Sequence, residues 1–226
     1  MRGSAYTQLL DLACGAFLLS AMVVLWRREL AAVIRLFALQ GIALAAVAVL
    51  LGGHEGRWDL VGVGVGIGVL RAGVLPYLMR RALAALTAGR GPGDEVRETR
   101  PLVNVAASLL AAALLTLLAY AVSRPLTALD PTAATRALPV GLAVVLIGFF
   151  VLVTRRRALA QVVGFLLLDN GITATAFLAT SGVPLIVELG VSFDVLLAVL
   201  VLHLLTARVV EAFGTTDVDD LRELHD

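Results

Sequence analysis

Seven apolar stretches, each about long enough to cross a bilayer, constrain this chain more than any other feature of its sequence. They cover residues 9–26, 31–51, 60–79, 102–122, 137–153, 158–180 and 185–208. A helix rising ~1.5 Å per residue needs about twenty residues to cross a hydrocarbon core ~30 Å thick. Apolar residues make up 60% of the 226 positions, more than a soluble domain of this size needs. The sequence therefore predicts an all-α polytopic membrane protein with seven transmembrane helices.

The arginines are unevenly divided between the two sets of loops that alternate along such a chain. One set contains Arg27, Arg28, Arg80, Arg81, Arg90, Arg97, Arg100, Arg155, Arg156, Arg157 and Arg208, and the other contains Arg2, Arg57, Arg124 and Arg136. Loops rich in basic residues stay in the cytoplasm. We therefore expect a multi-pass protein of the plasma (inner) membrane, with its N-terminus outside and its C-terminus cytoplasmic.

The longest polar stretch divides the chain into two parts. Residues 81–101 are predicted to form a cytoplasmic loop. An N-terminal three-helix part covers residues 1–80, and a four-helix part covers residues 102–208. Residues 209–226 form an acidic cytoplasmic tail.

Composition argues against a metal or redox centre in this chain. Cys14 is the only cysteine, so neither an Fe–S cluster nor a thiolate metal site can form. The histidines, His54, His203 and His225, lie far apart in the sequence. A net charge of +1 gives no sign of a nucleic-acid partner. We expect no catalytic residue, no metal and no cofactor.

Two acids lie deep in apolar surroundings. Asp169 stands in the middle of the stretch 158–180, and Asp194 stands well inside the stretch 185–208. A charge at that depth costs several kcal/mol, about 3 on insertion scales, so such acids are rare and usually functional. Both are predicted to belong to a proton or ion path, with Asn170 beside the first. Glu188 either takes up protons for this path or favours the positive end of a helix dipole.

The third apolar stretch combines closely spaced glycines with a buried base. Its small residues form two pairs four apart, Gly62/Gly66 and Gly64/Gly68, and such pairs let another helix backbone approach closely. Arg71 follows and is expected to face the bundle and pair with an acid. Pro76 frees a carbonyl and permits a kink.

A faint internal repeat relates the second stretch to the sixth. With an offset of 130, residues 27–46 match residues 157–176 at Arg27/Arg157, Val33/Val163, Leu36/Leu166, Gly41/Gly171, Ile42/Ile172 and Ala46/Ala176. The pair Leu39-Gln40 stands where Asp169-Asn170 stands. If the two halves are related, only the second carries the acid.

The C-terminal motifs point to a family. They are Asp169-Asn170-Gly171, the run from Pro184 to Glu188 and Gly190, Asp194, and the tail from Gly214 to Leu221. Together with the spacing of Arg71 and Pro76, they resemble the hydrogenase-4 component E family, seven-helix membrane subunits of formate-hydrogenlyase-type complexes. The last three helices are similar to the K subunit of complex I and to the C subunit of multisubunit sodium/proton antiporters.

This resemblance implies a non-catalytic membrane subunit of a hydrogenase-type oxidoreductase complex. Its partners would be antiporter-like membrane subunits, a quinone-chamber-like membrane subunit and a peripheral NiFe-hydrogenase arm. Asp169 and Asp194 would exchange protons, or sodium ions, as redox chemistry proceeds in those partners, and Arg71 would compensate their charge. Two alternatives stay open: a stand-alone or multisubunit cation/proton antiporter component, and a passive scaffold whose acids only form hydrogen bonds.

Overall fold

The computed structural model describes residues 2–27, 29–87, 104–155 and 158–180, and these residues are almost entirely helical. The helices are α1 (Arg2–Trp26), α2 (Leu30–Glu55), α3 (Trp58–Ile67), α4 (Leu75–Thr87), α5 (Val105–Leu129), α6 (Ala133–Thr154) and α7 (Ala158–Thr180). A π-helical segment, Gly68–Val74, joins α3 to α4, and the three form one continuous span. Within the described ranges, six spans are long and apolar enough to cross a membrane. The all-α prediction is confirmed there, whereas the seventh predicted span lies outside the described residues.

Several helices extend beyond their predicted limits, α1 and α5 among them. The first begins at Arg2 and not at residue 9, so the polar N-terminal residues join the helix. Helix α5 corresponds to the fourth predicted stretch. It was predicted to end at residue 122 but continues through Pro125 to Leu129. A proline removes one backbone donor from a helix. The residues around it still favour helix here, and the hydroxyl of Thr127 donates to the carbonyl of Arg124 at 2.9 Å.

The spans form two helix hairpins that lie side by side. The first hairpin is α1 with α2 and the second is α6 with α7; α1 contacts α6, and α2 contacts α7. The span α3–α4 lies against α2, and α5 lies against α6 and α1. Phe17, Phe37 and Phe177 are fully buried between these helices. Helix α5 is the least buried of the six described spans.

The second hairpin packs backbone against backbone. Its close contacts are made at Gly141 and Gly148 of α6 and at Gly164 and Gly171 of α7. A Cβ at Gly171 would lie 2.5 Å from the backbone nitrogen of Val145. No side chain fits at this distance unless the two helices move apart. Small residues at a membrane helix interface allow this approach, and the gain is van der Waals contact.

Only one of the two glycine pairs predicted in the third apolar stretch meets another helix among the described residues. A Cβ at Gly64 would lie 2.9 Å from a methyl group of Val49, and one at Gly68 would lie 3.2 Å from the Cβ of Ala45, both on α2. Gly62 and Gly66 have nothing within 4 Å. Residues two apart on a helix point about 200° from each other, so the two pairs cannot share one neighbour.

The π-helical segment keeps one face of its span buried. Ile67, Arg71, Leu75 and Met79 are four residues apart and all are buried. In an uninterrupted α-helix each such step drifts by about 40° around the axis, and the wider π turn offsets that drift. Pro76 follows this turn and has no N–H for a carbonyl of the preceding turn. The sequence predicted that Pro76 permits a kink. The irregularity at this place in the structure is the π-helical segment that precedes the proline.

Arg155 lies at the end of α6, in what the sequence predicted to be an arginine-rich cytoplasmic loop. Its side chain is buried, and its Nη2 donates to the carbonyls of Val24 and Leu25 at 3.3 Å and of Arg27 at 3.4 Å. The last carbonyls of a helix lack partners within the helix, and a positive charge is favourable at that end. Arg155 thus caps α1 from another hairpin. The C-terminal ends of α1 and α6 consequently lie on the same side of the bundle.

Candidate functional site

The candidate site is centred on Arg71, whose side chain is only 1% exposed. It lies on the π-helical segment and points toward α7. Nη1 of Arg71 donates to Oδ1 of Asn170 at 2.5 Å, and Nη2 donates to Oγ1 of Thr173 at 3.0 Å. Asn170 and Thr173 are three residues apart and therefore share a face of α7. Two neutral acceptors on one helix thus hold the guanidinium group.

Asp169 supplies the negative charge of the site. Its Oδ2 lies 2.8 Å from Nη2 of Arg71, close enough for an ion pair. This oxygen has no hydrogen bond among the described residues. We read the contact as charge attraction at short range. The directed hydrogen bonds of Arg71 that are resolved here go to Asn170 and Thr173.

A second amide extends the site into the first hairpin. Nδ2 of Asn170 donates to Oε1 of Gln40 at 2.8 Å, and both side chains are buried. Nε2 of Gln40 has no hydrogen-bond partner among the described residues. Hydrogen bonds therefore run in one line from the π-helical segment through α7 to α2.

Close backbone contact brings these groups together. A Cβ at Gly41, next to Gln40, would lie 2.8 Å from the carbonyl carbon of Arg71. The glycine therefore lets α2 approach the π-helical segment where Arg71 stands. Asp169 is the central residue of α7, so the charged pair lies near the middle of its span.

The energetics explain why the pair is so closely enclosed. A single charge at the centre of a bilayer is unfavourable, and removing one member of a buried ion pair from a protein costs about 3–5 kcal/mol. Here a cation and an acid of opposite formal charge meet, and two amides and a hydroxyl add hydrogen-bonding atoms around them. The arrangement holds a carboxyl group and a guanidinium group together in the interior of the helix bundle.

The structure brings together three of the residues singled out in the sequence, Arg71, Asp169 and Asn170. The other two acids, Asp194 and Glu188, lie outside the described residues. Gln40 and Thr173 complete the site, although sequence reasoning did not assign Gln40 to it. The signal was present in the internal repeat, where Gln40 stands opposite Asn170 as an amide followed by glycine. Over the described ranges, no group of three His, Cys, Asp or Glu side chains is placed to hold a metal ion.

Comparison with known proteins gives partial matches to hydrogenase-4 component E and a match over the whole chain to one mycobacterial protein. No protein-family model and no solved structure matches the chain. Hydrogenase-4 component E of Escherichia coli K12 is 34% identical to it over 125 residues, which are 55% of this chain and 58% of that relative. The chain thus spans little more than half the length of that relative. Component E of Shigella flexneri gives the same values.

The complete match is to a mycobacterial protein. The uncharacterized protein Rv0085 of Mycobacterium tuberculosis H37Rv is 49% identical over 226 residues, which are all of both chains. The chain therefore belongs to the same family as the mycobacterial protein Rv0085.

Proposed function

We propose that this chain is a membrane subunit of a hydrogenase-4-like, complex-I-related oxidoreductase, and that it contributes buried acids to a proton or sodium path. The observation that carries the proposal is the enclosed pair of Arg71 and Asp169 in the middle of two spans. The partial similarity to hydrogenase-4 component E supports the class of complex. On this proposal the chain itself catalyses no redox step.

The geometry favours a carboxyl group that changes its protonation. Arg71 donates hydrogen bonds to two neutral acceptors, and it contacts Asp169 through charge. When Asp169 takes up a proton, the guanidinium keeps those two hydrogen bonds. When the proton leaves, the cation is already beside the carboxylate. A proton can therefore arrive and depart without leaving Arg71 unbonded.

The remaining parts of the proposal concern residues outside the site. Asp194 and Glu188 would continue the path, in a seventh span over residues 185–208. The N-terminus would lie outside, with residues 81–101 and the acidic tail 209–226 in the cytoplasm. Reporter fusions after Arg97 and after Asp226 should then both give a cytoplasmic signal, and an external signal from either fusion contradicts this topology.

The proposed partners follow from the class of complex. They are antiporter-like membrane subunits, a quinone-chamber-like membrane subunit and a peripheral NiFe-hydrogenase arm. Purification of the tagged chain in a mild detergent should recover hydrogenase-type subunits. A stand-alone antiporter would instead be purified alone and would exchange cations for protons in liposomes without other subunits.

The decisive experiment replaces Asp169 by asparagine. Asp169→Asn keeps the size and polarity of the side chain but removes its titration near neutral pH. Inverted membrane vesicles carrying the variant are supplied with hydrogen and a quinone as electron acceptor and, separately, with formate, and acidification is followed with a pH-sensitive dye. We expect proton translocation to fall strongly while assembly and hydrogenase activity stay near wild type.

A matched control keeps the same chemistry away from the site. Asp11→Asn changes an exposed acid of α1 and should leave translocation unchanged. Normal translocation by Asp169→Asn would favour a passive scaffold, in which Asp169 serves only to bind Arg71.

A further inference from the structure

Gln40 lies outside the charged pair, yet it is fully buried and ends the line of hydrogen bonds that begins at Arg71. We propose that Gln40 is a positioning residue of this site: it fixes the side-chain amide of Asn170 so that its oxygen faces Arg71. The inference rests on the proposed function for its effect on proton translocation. Its geometric content, the position of the guanidinium, can be measured separately.

Hydrogen-bond chemistry sets the direction of the line. A guanidinium group only donates, so Asn170 must present its oxygen to Arg71 and its NH₂ group away from it. That NH₂ group is buried and needs an acceptor, since an unpaired buried donor is unfavourable. Oε1 of Gln40, at 2.8 Å, is that acceptor. Without it, the amide of Asn170 loses the contact that opposes rotation of its oxygen away from Arg71.

The position of Arg71 relative to Asp169 depends on this amide. Asn170 makes the shorter of the two resolved hydrogen bonds to Arg71, at 2.5 Å against 3.0 Å for Thr173. Neither acceptor carries a charge, so neither changes when Asp169 gains or loses a proton. Gln40 therefore acts on the acid through two intermediates, first Asn170 and then Arg71.

Other charged groups on the neighbouring helices lie away from Asp169. Helices α2 and α6 pack against α7. The titratable or charged residues on these two helices, or directly next to them in the chain, are Glu29, Arg35, His54, Glu55, Arg136 and Arg155. They stand toward the helix ends, whereas Asp169 is at the centre of α7. Arg71 is the one charged side chain that contacts Asp169 within the described part of the chain.

The test is a double-mutant cycle in the assembled membrane complex. The variants are Gln40→Met, Asn170→Leu and the two combined. Met keeps the length of Gln and removes its oxygen and NH₂ group. Gln161→Met is the matched control, because Gln161 donates to the carbonyl of Arg155 and lies outside the site.

The first measurement is ¹⁵N solid-state NMR of the complex with labelled arginine. The Arg71 guanidinium signals are assigned by their loss in Arg71→Met. We expect Gln40→Met to shift and broaden the Arg71 signals and Gln161→Met to leave them unchanged. In the Asn170→Leu background, adding Gln40→Met should cause no further change in these signals. Unchanged Arg71 signals in Gln40→Met overturn the inference, whether or not the complex translocates protons.

The second measurement is the pH profile of proton translocation in vesicles. A less closely held Arg71 stabilises the carboxylate of Asp169 less, so the acid stays protonated to higher pH. The optimum for Gln40→Met should rise by about half a pH unit to one unit, the range expected for one lost hydrogen bond. A lower rate with an unchanged optimum and additive effects in the cycle would mean a purely structural role, and would overturn the inference.

The two readouts separate the two proposals. If Asp169→Asn translocates normally while the Arg71 signals still respond to Gln40→Met, the proposed function fails and the geometric assignment of Gln40 stands. If Asp169→Asn stops translocation and Gln40→Met changes neither readout, the function stands and Gln40 is not a positioning residue.

Discussion

The helices α2 and α7 carry the same short pattern, an amide followed by glycine and isoleucine, but only α7 has an acid immediately before it. It covers residues 40–42 in α2 and 170–172 in α7. In both helices the amide and the glycine are buried and the isoleucine is exposed. Gly41 admits the backbone of the π-helical segment, and Gly171 admits the backbone of α6. The two amides then bond to each other.

The two helices differ in the residue that precedes the pattern. Leu39 of α2 is 48% exposed, whereas Asp169 of α7 is 7% exposed. An acid at position 39 would point away from the other described helices and would meet lipid or a partner subunit. At position 169 it meets Arg71. The amide and the glycine thus supply the packing at both places, and the acid stands at the one of the two positions that faces a cation.

The largest effect should come from moving the acid between the two helices. We expect the double variant Asp169→Leu/Leu39→Asp to translocate protons no better than Asp169→Leu alone, because a carboxyl at position 39 cannot contact Arg71. The measurement is dye-reported acidification of vesicles at matched complex content. Recovery of translocation in the double variant would show that the two positions are interchangeable and would break the comparison.

The next effect concerns the cation. In Arg71→Met the carboxylate of Asp169 loses the charge that stabilises it, so the protonated form persists to higher pH. We expect the pH optimum of translocation to move upward by about one unit or more, since one unit corresponds to 1.36 kcal/mol. The control is Arg35→Met, which removes an exposed arginine from α2. An equal shift in both variants would trace the effect to net charge in general and not to the pair.

The smallest effect should come from filling the close backbone contact that each of the two helices makes at its glycine. Gly171→Val and Gly41→Val both place a side chain against backbone, with Cβ contacts of 2.5 and 2.8 Å. Overpacking of this kind costs about 1–3 kcal/mol, and we expect Gly171→Val to lower the melting temperature of the complex more. Gly15→Val is the control, because a Cβ there has nothing within 4 Å. A larger loss in Gly41→Val would reverse the order of the two contacts.

The sequence by itself predicted the features that depend on one segment at a time. A run of apolar residues long enough to cross the bilayer must form a helix, because no water is available to its backbone groups. For that reason the positions of the six described spans followed from hydropathy. The burial of Asp169 and Arg71 followed in the same way, from charges placed inside such runs.

The tertiary structure alone decided which side chains meet. Arg71 and Asn170 are 99 residues apart in the chain, and Gln40 and Asn170 are 130 apart. These helices are apolar on nearly every side, so no polar stripe indicates which face of one turns toward another. The rotation of each helix is set by backbone contacts at glycines such as Gly41 and Gly171. Those contacts fixed Asp169 beside Arg71, brought Gln40 into the site and buried Arg155 at the end of α1. The physical reason is that hydropathy allows many rotations of each helix, and close packing between distant segments of the chain selects one of them.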